Sequence, residues 1–323
     1  MDKKPLVILT GPTAVGKTAL SLKLARAIGA EIISADSMQV YRGMDIGSAK
    51  IPLSEREGIP HHLLDIKDPR EPFDVTEFVR LAKAAAEEIR GRGHIPLVAG
   101  GTGFYIQALL KDIDFSEGEQ NGALRRELEA FEQREGAEAL HRLLEREDPE
   151  AAAQIHPNNV KRVIRALEYI RGSGRSITLA NAEQSLKESP YDFAYFVLDR
   201  PREELYARID ARVDEMMSGG LLREVEGLRA QGLARGLTSM QGLGYKELLD
   251  YFDGLLTLEE AVTRIKTETR HFAKRQLTWF RREKDVIWLE KEDFPTEELQ
   301  LAYMLEVLSE KGILPAETEG GNA

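Results

Sequence analysis

Short, almost wholly apolar runs recur along the chain, at 5–9 (Pro-Leu-Val-Ile-Leu), 31–34, 95–99, 193–198 and 286–289. Runs of this length without polar alternation suit strands covered on both faces, as in a parallel sheet. The stretches between them change to helical periodicity and carry helix ends. Asp74 and Glu77 form a capping box that opens a helix over 75–90, with Gly91 to close it. Pro201, Glu203 and Glu204 open a helix over 202–217, which Ser218-Gly219-Gly220 ends. Thr257 and Glu260 open a long helix over 258–283. Alternation of this kind predicts an α/β fold with a doubly wound parallel sheet.

Between the third and fourth runs the strand signal disappears. Charged helical patterns fill 121–147, and His156-Pro157-Asn158-Asn159 precedes a helix with Val160, Val163, Ile164, Leu167 and Ile170 on one face. Lys161, Arg162 and Arg165 fall off that face. Pro190 marks the return to strand. The expected organisation is a core from 1–113, a helical insertion over 114–191, and a second part of the core over 192–314 that holds the basic helix near its C-terminal end. A disordered tail is expected at 315–323.

The first strand runs into Gly11, Pro12, Thr13, Ala14, Val15, Gly16, Lys17 and Thr18. This is the G-x-x-x-x-G-K-T phosphate loop in its required setting, after a strand and before an amphipathic segment (Leu20, Leu24, Ile28). Its glycines let successive backbone N–H groups curl toward phosphate oxygens. Lys17 adds a point charge, and Thr18 can place a hydroxyl on Mg²⁺. The sheet is therefore expected to be P-loop NTPase-like and to bind a polyphosphate.

Composition narrows the classes. A chain of 323 residues, 42% hydrophobic and 31% charged, can bury a sizeable core. No run approaches the ~18 apolar residues of a membrane span. Met-Asp-Lys-Lys-Pro enters the first strand directly, so the expectation is a cytoplasmic protein without a secretion signal and without a membrane partner. The absence of cysteine excludes disulfides, zinc–cysteine sites and thiol catalysis. Net charge is −11, yet residues 261–284 hold eight Lys and Arg against two Glu, and 156–176 hold five against one. Basic patches on an acidic chain suit a polyanion that touches chosen surfaces, although solvated helix faces look the same in sequence.

Ligands of doubly wound sheets gather where strand C-termini meet helix N-termini. The second strand ends in Asp36-Ser37-Met38-Gln39, the third in Gly100-Gly101-Thr102-Gly103. Asp36 is placed to serve as a base or a metal ligand, or to cap the next helix. The third strand ends without the carboxylate that holds Mg²⁺ in many nucleotide hydrolases. Arg208 and Arg212, four apart on one helix edge, can close over a pyrophosphate or pair with Asp210 or Glu215.

In combination and order, several stretches resemble the tRNA dimethylallyltransferases (tRNA isopentenyltransferases) of bacteria. They are 11–18, Asp-Ser-Met-Gln-Val-Tyr (36–41), Asp-Ile-Gly-Ser-Ala-Lys (45–50), His-His-Leu-Leu-Asp-Ile (61–66), Gly-Gly-Thr-Gly-Phe-Tyr (100–105), Gln-Gly-Leu-Gly-Tyr-Lys-Glu (241–247) and Ala-Lys-Arg-Gln-Leu-Thr-Trp-Phe-Arg (273–281). Ser48, where the family more often has Thr, and Ile51 before Pro52 are departures outside the chemistry. The resemblance implies transfer of a dimethylallyl group from dimethylallyl diphosphate to N6 of the adenosine at tRNA position 37, with Mg²⁺. The phosphate loop would then hold the prenyl diphosphate instead of ATP. Asp36 would be the general base, Thr102 would touch the reacting groups, and Arg208 or Arg212 would meet the diphosphate. Asp36, Ser37, Met38, Gln39, Thr102, Arg125, Lys161, Arg162, Arg165, Gln241, Lys274, Arg275 and Arg281 would contact the anticodon stem-loop. A monomer is expected. The alternative is an ATP-dependent small-molecule kinase of the P-loop class.

Overall fold

The structure, a computed structural model, describes residues 3–115 and 122–314. The tail expected at 315–323 lies outside the described residues. The first unit opens with β1 (Lys4–Thr10), α1 (Lys17–Ile28), β2 (Ala30–Ser34) and a two-residue β3 (His61–His62). Next come α2 (Val75–Gly91), β4 (Ile95–Gly100) and α3 (Gly103–Leu110). Five helices follow: α4 (Gly122–Glu135), α5 (Ala137–Glu147), α6 (Pro149–Gln154), α7 (Val160–Ser173) and α8 (Ile177–Leu186). The chain then returns through β5 (Tyr191–Asp199), α9 (Arg202–Ser218), α10 (Leu221–Ala230), α11 (Tyr245–Phe252), α12 (Leu258–Phe280), β6 (Val286–Glu290) and α13 (Glu297–Glu310).

The six strands form one parallel sheet in the order β3-β2-β4-β1-β5-β6. Alternation along the strands explains why both faces read as apolar. Val7, Leu9, Leu97, Ala194 and Phe196 share a core with Leu20 and Leu24 of α1 and with Met304 and Leu308 of α13. Leu6, Ile8, Val98, Tyr195 and Val197 alternate to the opposite face and are equally buried. The sheet turns outward in both directions from β1, so the loop after β1 sits at the topological switch point where ligands bind.

Each of the five expected strands is present, with limits shifted by a residue or two. The sixth, β3, was not expected. Two residues are too few to show a period, and it is fixed by pairing of Ile32 and Ile33 with His61 and His62. Asp74 caps α2 by accepting from the Glu77 N–H at 3.0 Å, but Gly91 stays inside the helix and Arg92 ends it. The capping box of Thr257 and Glu260 is complete. The helix it opens stops at Phe280, short of the expected 283, and β6 and α13 follow it.

The second compact unit spans Leu110–Pro190, against the 114–191 expected from sequence. Its core gathers Leu128, Leu140, Leu144, Val163, Ile164 and Leu167. Asp148 caps α6 through the Ala151 N–H at 3.1 Å, and Pro149 takes the first turn, where its missing N–H costs nothing. Asn159 occupies the cap position of α7 without a side-chain cap bond. No helix among the described residues is long and apolar enough to cross a membrane.

Candidate active site

The phosphate loop joins β1 to α1 through three unusual backbone positions. Gly11 (φ 145°) and Gly16 (φ 111°) take conformations suited to glycine, and Ala14 sits in the left-handed region at φ 62°. A side chain at Gly11 would also strike the Leu198 carbonyl at the end of β5, 2.6 Å from its Cβ. Strain of this kind persists only where neighbours over-determine it. Here they do. Arg208 Nε donates to the Ala14 carbonyl at 2.8 Å and Arg200 Nε to the Val15 carbonyl at 2.7 Å. Lys17 Nζ donates to the Gly11 and Pro12 carbonyls at 2.9 and 2.7 Å. With those carbonyls held on side chains, the N–H groups at the head of α1 are left to meet an anion.

Four charged groups expected from sequence meet at this loop. Lys17 is desolvated beneath it and faces the Arg212 guanidinium, and the two effects pull its pKa down to about 7 against an opposing pull from the Asp36 carboxylate. Desolvation, opposed chiefly by Asp36, also lowers Arg212, which lies near Arg208. Such convergence of opposite charges in a partly dry pocket makes this loop the candidate site. Asp210, weighed as a partner for the arginine pair, instead meets Arg270 at 3.3 Å.

Asp36 does two jobs geometrically. Its Oδ1 accepts from the Met38 and Gln39 N–H groups at 2.8 and 3.3 Å, so it caps a turn and not the helix weighed in sequence, because no helix follows β2 directly. That cap aims the carboxylate at Lys17 instead of displacing it from the site. Thr102 is joined to the same turn, because its N–H donates to the Ala35 carbonyl at 3.2 Å. Ser37 and Met38 are half-buried beside it, and Met38 lies against Gly242, next to the exposed Gln241 on the 3₁₀ turn Ser239–Gln241. The Gln241 amide donates to the Arg235 carbonyl.

Two expected contact residues hold bonds within the scaffold. Gln39 accepts from Ser34 Oγ at 3.0 Å and donates to the Ser48 and Ala49 carbonyls at 3.2 and 3.4 Å, so its amide ties two loops together. Arg125 pairs with Glu129 at 3.2 Å and with the buried Glu168 at 3.5 Å, inside the helical unit. Arg165 is half-buried on α7, whereas Lys161 and Arg162 are exposed. On α12, Lys274 and Arg275 line a groove of about 440 Å³ with His271, Thr278, Trp279 and Arg282. Arg281 turns away from it, toward Asp199 at 3.7 Å.

Sequence reasoning missed three organisers. Glu224 on α10 accepts from the Asp45, Ile46 and Gly47 N–H groups at 2.9, 2.8 and 3.1 Å and from the Tyr245 hydroxyl at 2.7 Å. Lys50, its side chain 3% exposed, binds Asp45 and Asp65 at 2.6 Å each and the Tyr41 carbonyl at 2.7 Å. Gln276 on α12 accepts from the Thr13 N–H at 2.9 Å and donates to the Gly101 carbonyl at 2.8 Å. Lys50 and Gln276 stand in the quoted motifs, but nothing in sequence spacing names their partners.

For Mg²⁺ the donor set is sparse. Among the described residues no three His, Asp or Glu side chains gather as a metal site. The exposed Thr18 hydroxyl at the head of α1 is the donor that fits, and Mg²⁺ commonly takes few protein ligands when substrate phosphates supply the rest.

Two family models match the chain: IPP transferase over residues 39–283 and Isopentenyl transferase over 4–67. A tRNA dimethylallyltransferase of Lachnoclostridium phytofermentans is 56% identical over 311 residues, covering 96% of this chain and 99% of the relative. The solved structure of the full-length tRNA isopentenylpyrophosphate transferase from Bacillus halodurans matches with a TM-score of 0.72 at 44% identity, over 96% of this chain and 98% of that one. A eukaryotic dimethylallyltransferase solved while acting on tRNA matches with a TM-score of 0.83 at 32% identity, over 98% and 81%.

Proposed function

The chain belongs to the IPP transferase family of prenyltransferases acting on tRNA, and we propose that it carries a dimethylallyl group from dimethylallyl diphosphate to N6 of the adenosine at tRNA position 37. The observation that carries this reading is the meeting of the Asp36 carboxylate with Lys17 and Arg212 at the phosphate loop. A leaving-group cradle and a base stand face to face there.

The exocyclic amine of adenine is a poor nucleophile, because its lone pair is delocalised into the ring. Asp36 takes its proton as the N6–C1 bond forms and the C1–O bond breaks, and diphosphate leaves with the electron pair. A positioned base of this kind supplies about 10²–10⁴-fold. Lys17, the N–H groups heading α1 and the Arg208–Arg212 edge neutralise the departing diphosphate. The Thr18 hydroxyl would hold a Mg²⁺ ion, which would supply further positive charge to the leaving group. The adenosine must leave the anticodon-loop stack to reach Asp36, which costs a few kcal/mol. Ser37, Met38, Thr102 and Gln241 border the place it would enter. Lys274 and Arg275 on α12, and Lys161 and Arg162 on α7, supply cations for the anticodon stem-loop backbone.

The kinase alternative is not favoured, since β4 ends in Ala99-Gly100-Gly101 without a carboxylate and the relatives carry transferase names. The test is incubation of the purified protein with labelled dimethylallyl diphosphate, Mg²⁺ and unmodified tRNA. Label is expected in the RNA, on N6 of the adenosine at position 37. Brisk ATP cleavage with no labelled RNA would overturn the reading.

A further inference from the structure

Buried among the apolar residues of α12 is one glutamine. Ala273, Gln276 and Phe280 follow the i, i+3, i+7 stripe that turns inward, and Gln276 is only 7% exposed. An unsatisfied amide there would cost free energy, so the two bonds it makes matter. Oε1 accepts from the Thr13 N–H at 2.9 Å, inside the phosphate loop. Nε2 donates to the Gly101 carbonyl at 2.8 Å, in the turn after β4. A neutral amide offers an acceptor to an N–H and a donor to a carbonyl at once; a carboxylate would repel the carbonyl, and an ammonium the N–H.

The two ends of this bridge belong to opposite halves of the reaction. Thr13 lies in the loop assigned to the leaving diphosphate. Gly101 precedes Thr102, whose N–H is bonded to the Ala35 carbonyl, one residue before Asp36. The space is closed around the amide as well: a Cβ added at Gly101 would lie 2.3 Å from Gln276 Nε2, with no other close contact under 3.5 Å. Resting on the transfer reaction argued above, we propose that Gln276 is a positioning residue that fixes the separation between the diphosphate cradle and the base, and so the alignment of the attacking amine with the breaking C1–O bond.

Displacement reactions lose rate steeply with misalignment, about a hundredfold for an error near 1 Å. Gln276→Met keeps the length and volume of the side chain and removes both bonds. Its kcat, with both substrates saturating, is expected to fall about tenfold to a hundredfold. KM for tRNA is expected to stay close to wild type, and the thermal midpoint to fall by only a few degrees, because the Thr13 N–H and the Gly101 carbonyl lose a partner. Gly101→Ala should lose a similar factor by pushing the amide aside. In a Gln276→Ala background the same Gly101→Ala change has room and should cost almost nothing more, a non-additivity that places the effect in this contact. Wild-type kcat in Gln276→Met overturns the assignment. A joint fall of kcat, tRNA affinity and thermal midpoint also overturns it, because that pattern belongs to a residue that merely supports the fold. Absence of label transfer by the wild-type protein would instead strike the underlying transfer reaction, so the two failures are told apart.

Discussion

At Asp36, cap and base are one carboxylate, and they can be separated by chemistry. An asparagine there keeps an oxygen for the Met38 and Gln39 N–H groups but cannot accept a proton at neutral pH. Asp36→Asn is therefore expected to hold tRNA and diphosphate affinity while kcat falls about 10²–10⁴-fold; single-turnover transfer of label measures it, and retained turnover would remove Asp36 from the base role. Lys17 gives a pH signature. In the free protein its pKa is lowered to about 7 from 10.5 by desolvation and by Arg212, so at pH 8 the amine is mostly neutral. A bound diphosphate restores the ammonium, and binding must then take up a proton. The sign follows: affinity falls as pH rises above about 7 toward the ordinary lysine range. Over the same window the folded state gains stability with pH, because the unfolded chain binds the extra proton. Calorimetry of pyrophosphate binding at pH 8 in two buffers of different ionisation enthalpy is expected to show proton uptake that Lys17→Met lacks. Equal uptake in the two proteins would assign the proton elsewhere.

Helix α12 faces two ways, and its outward side makes a separate prediction. Lys274 and Arg275 are exposed on the groove beside Trp279, while Ala273, Gln276 and Phe280 are buried. Phosphate contacts release counterions, each adding roughly 0.7–0.9 to the slope of log affinity against log salt. The Lys274→Ala, Arg275→Ala double variant is expected to flatten that slope by about 1.5 for an anticodon stem-loop. Its KM for dimethylallyl diphosphate is expected to be unchanged. An unaltered slope would take the RNA backbone off this helix. The phosphate loop, the strands and the cap at Thr257 were readable in sequence because each is a local pattern whose spacing states its geometry. Glu224 and Gln276 were not, because their meaning lies in partners far along the chain, on 45–47 and on 13 and 101. The bonds of Gln39 to Ser34, Ser48 and Ala49 were hidden for a related reason: an amide's capacity to bond is visible in sequence, but not which neighbouring loops it joins. The pairing of Arg125 with the buried Glu168, 43 positions on, was hidden in the same way.

Across the whole chain, β1 and β5 lie side by side with Lys4 opposite Tyr191 and Thr10 opposite Val197. The helical unit at Leu110–Pro190 therefore leaves the polypeptide between α3 and β5 without interrupting the sheet, and it has an apolar core of its own. Leu167, fully buried in that core, tests what this division means for function. Leu167→Ala removes packed methyl groups and leaves a cavity, a change that costs about 2–5 kcal/mol. If α4–α8 hold their surface for RNA while the sheet holds the diphosphate, the loss is confined to one substrate. KM for tRNA is then expected to rise, and thermal unfolding followed by circular dichroism to begin at lower temperature. Pyrophosphate affinity should stay within about twofold of wild type, since the two cores are built from separate sets of residues. A parallel loss of pyrophosphate binding would mean that the helical core and the phosphate loop fold as one cooperative body, with diphosphate binding dependent on the helical core.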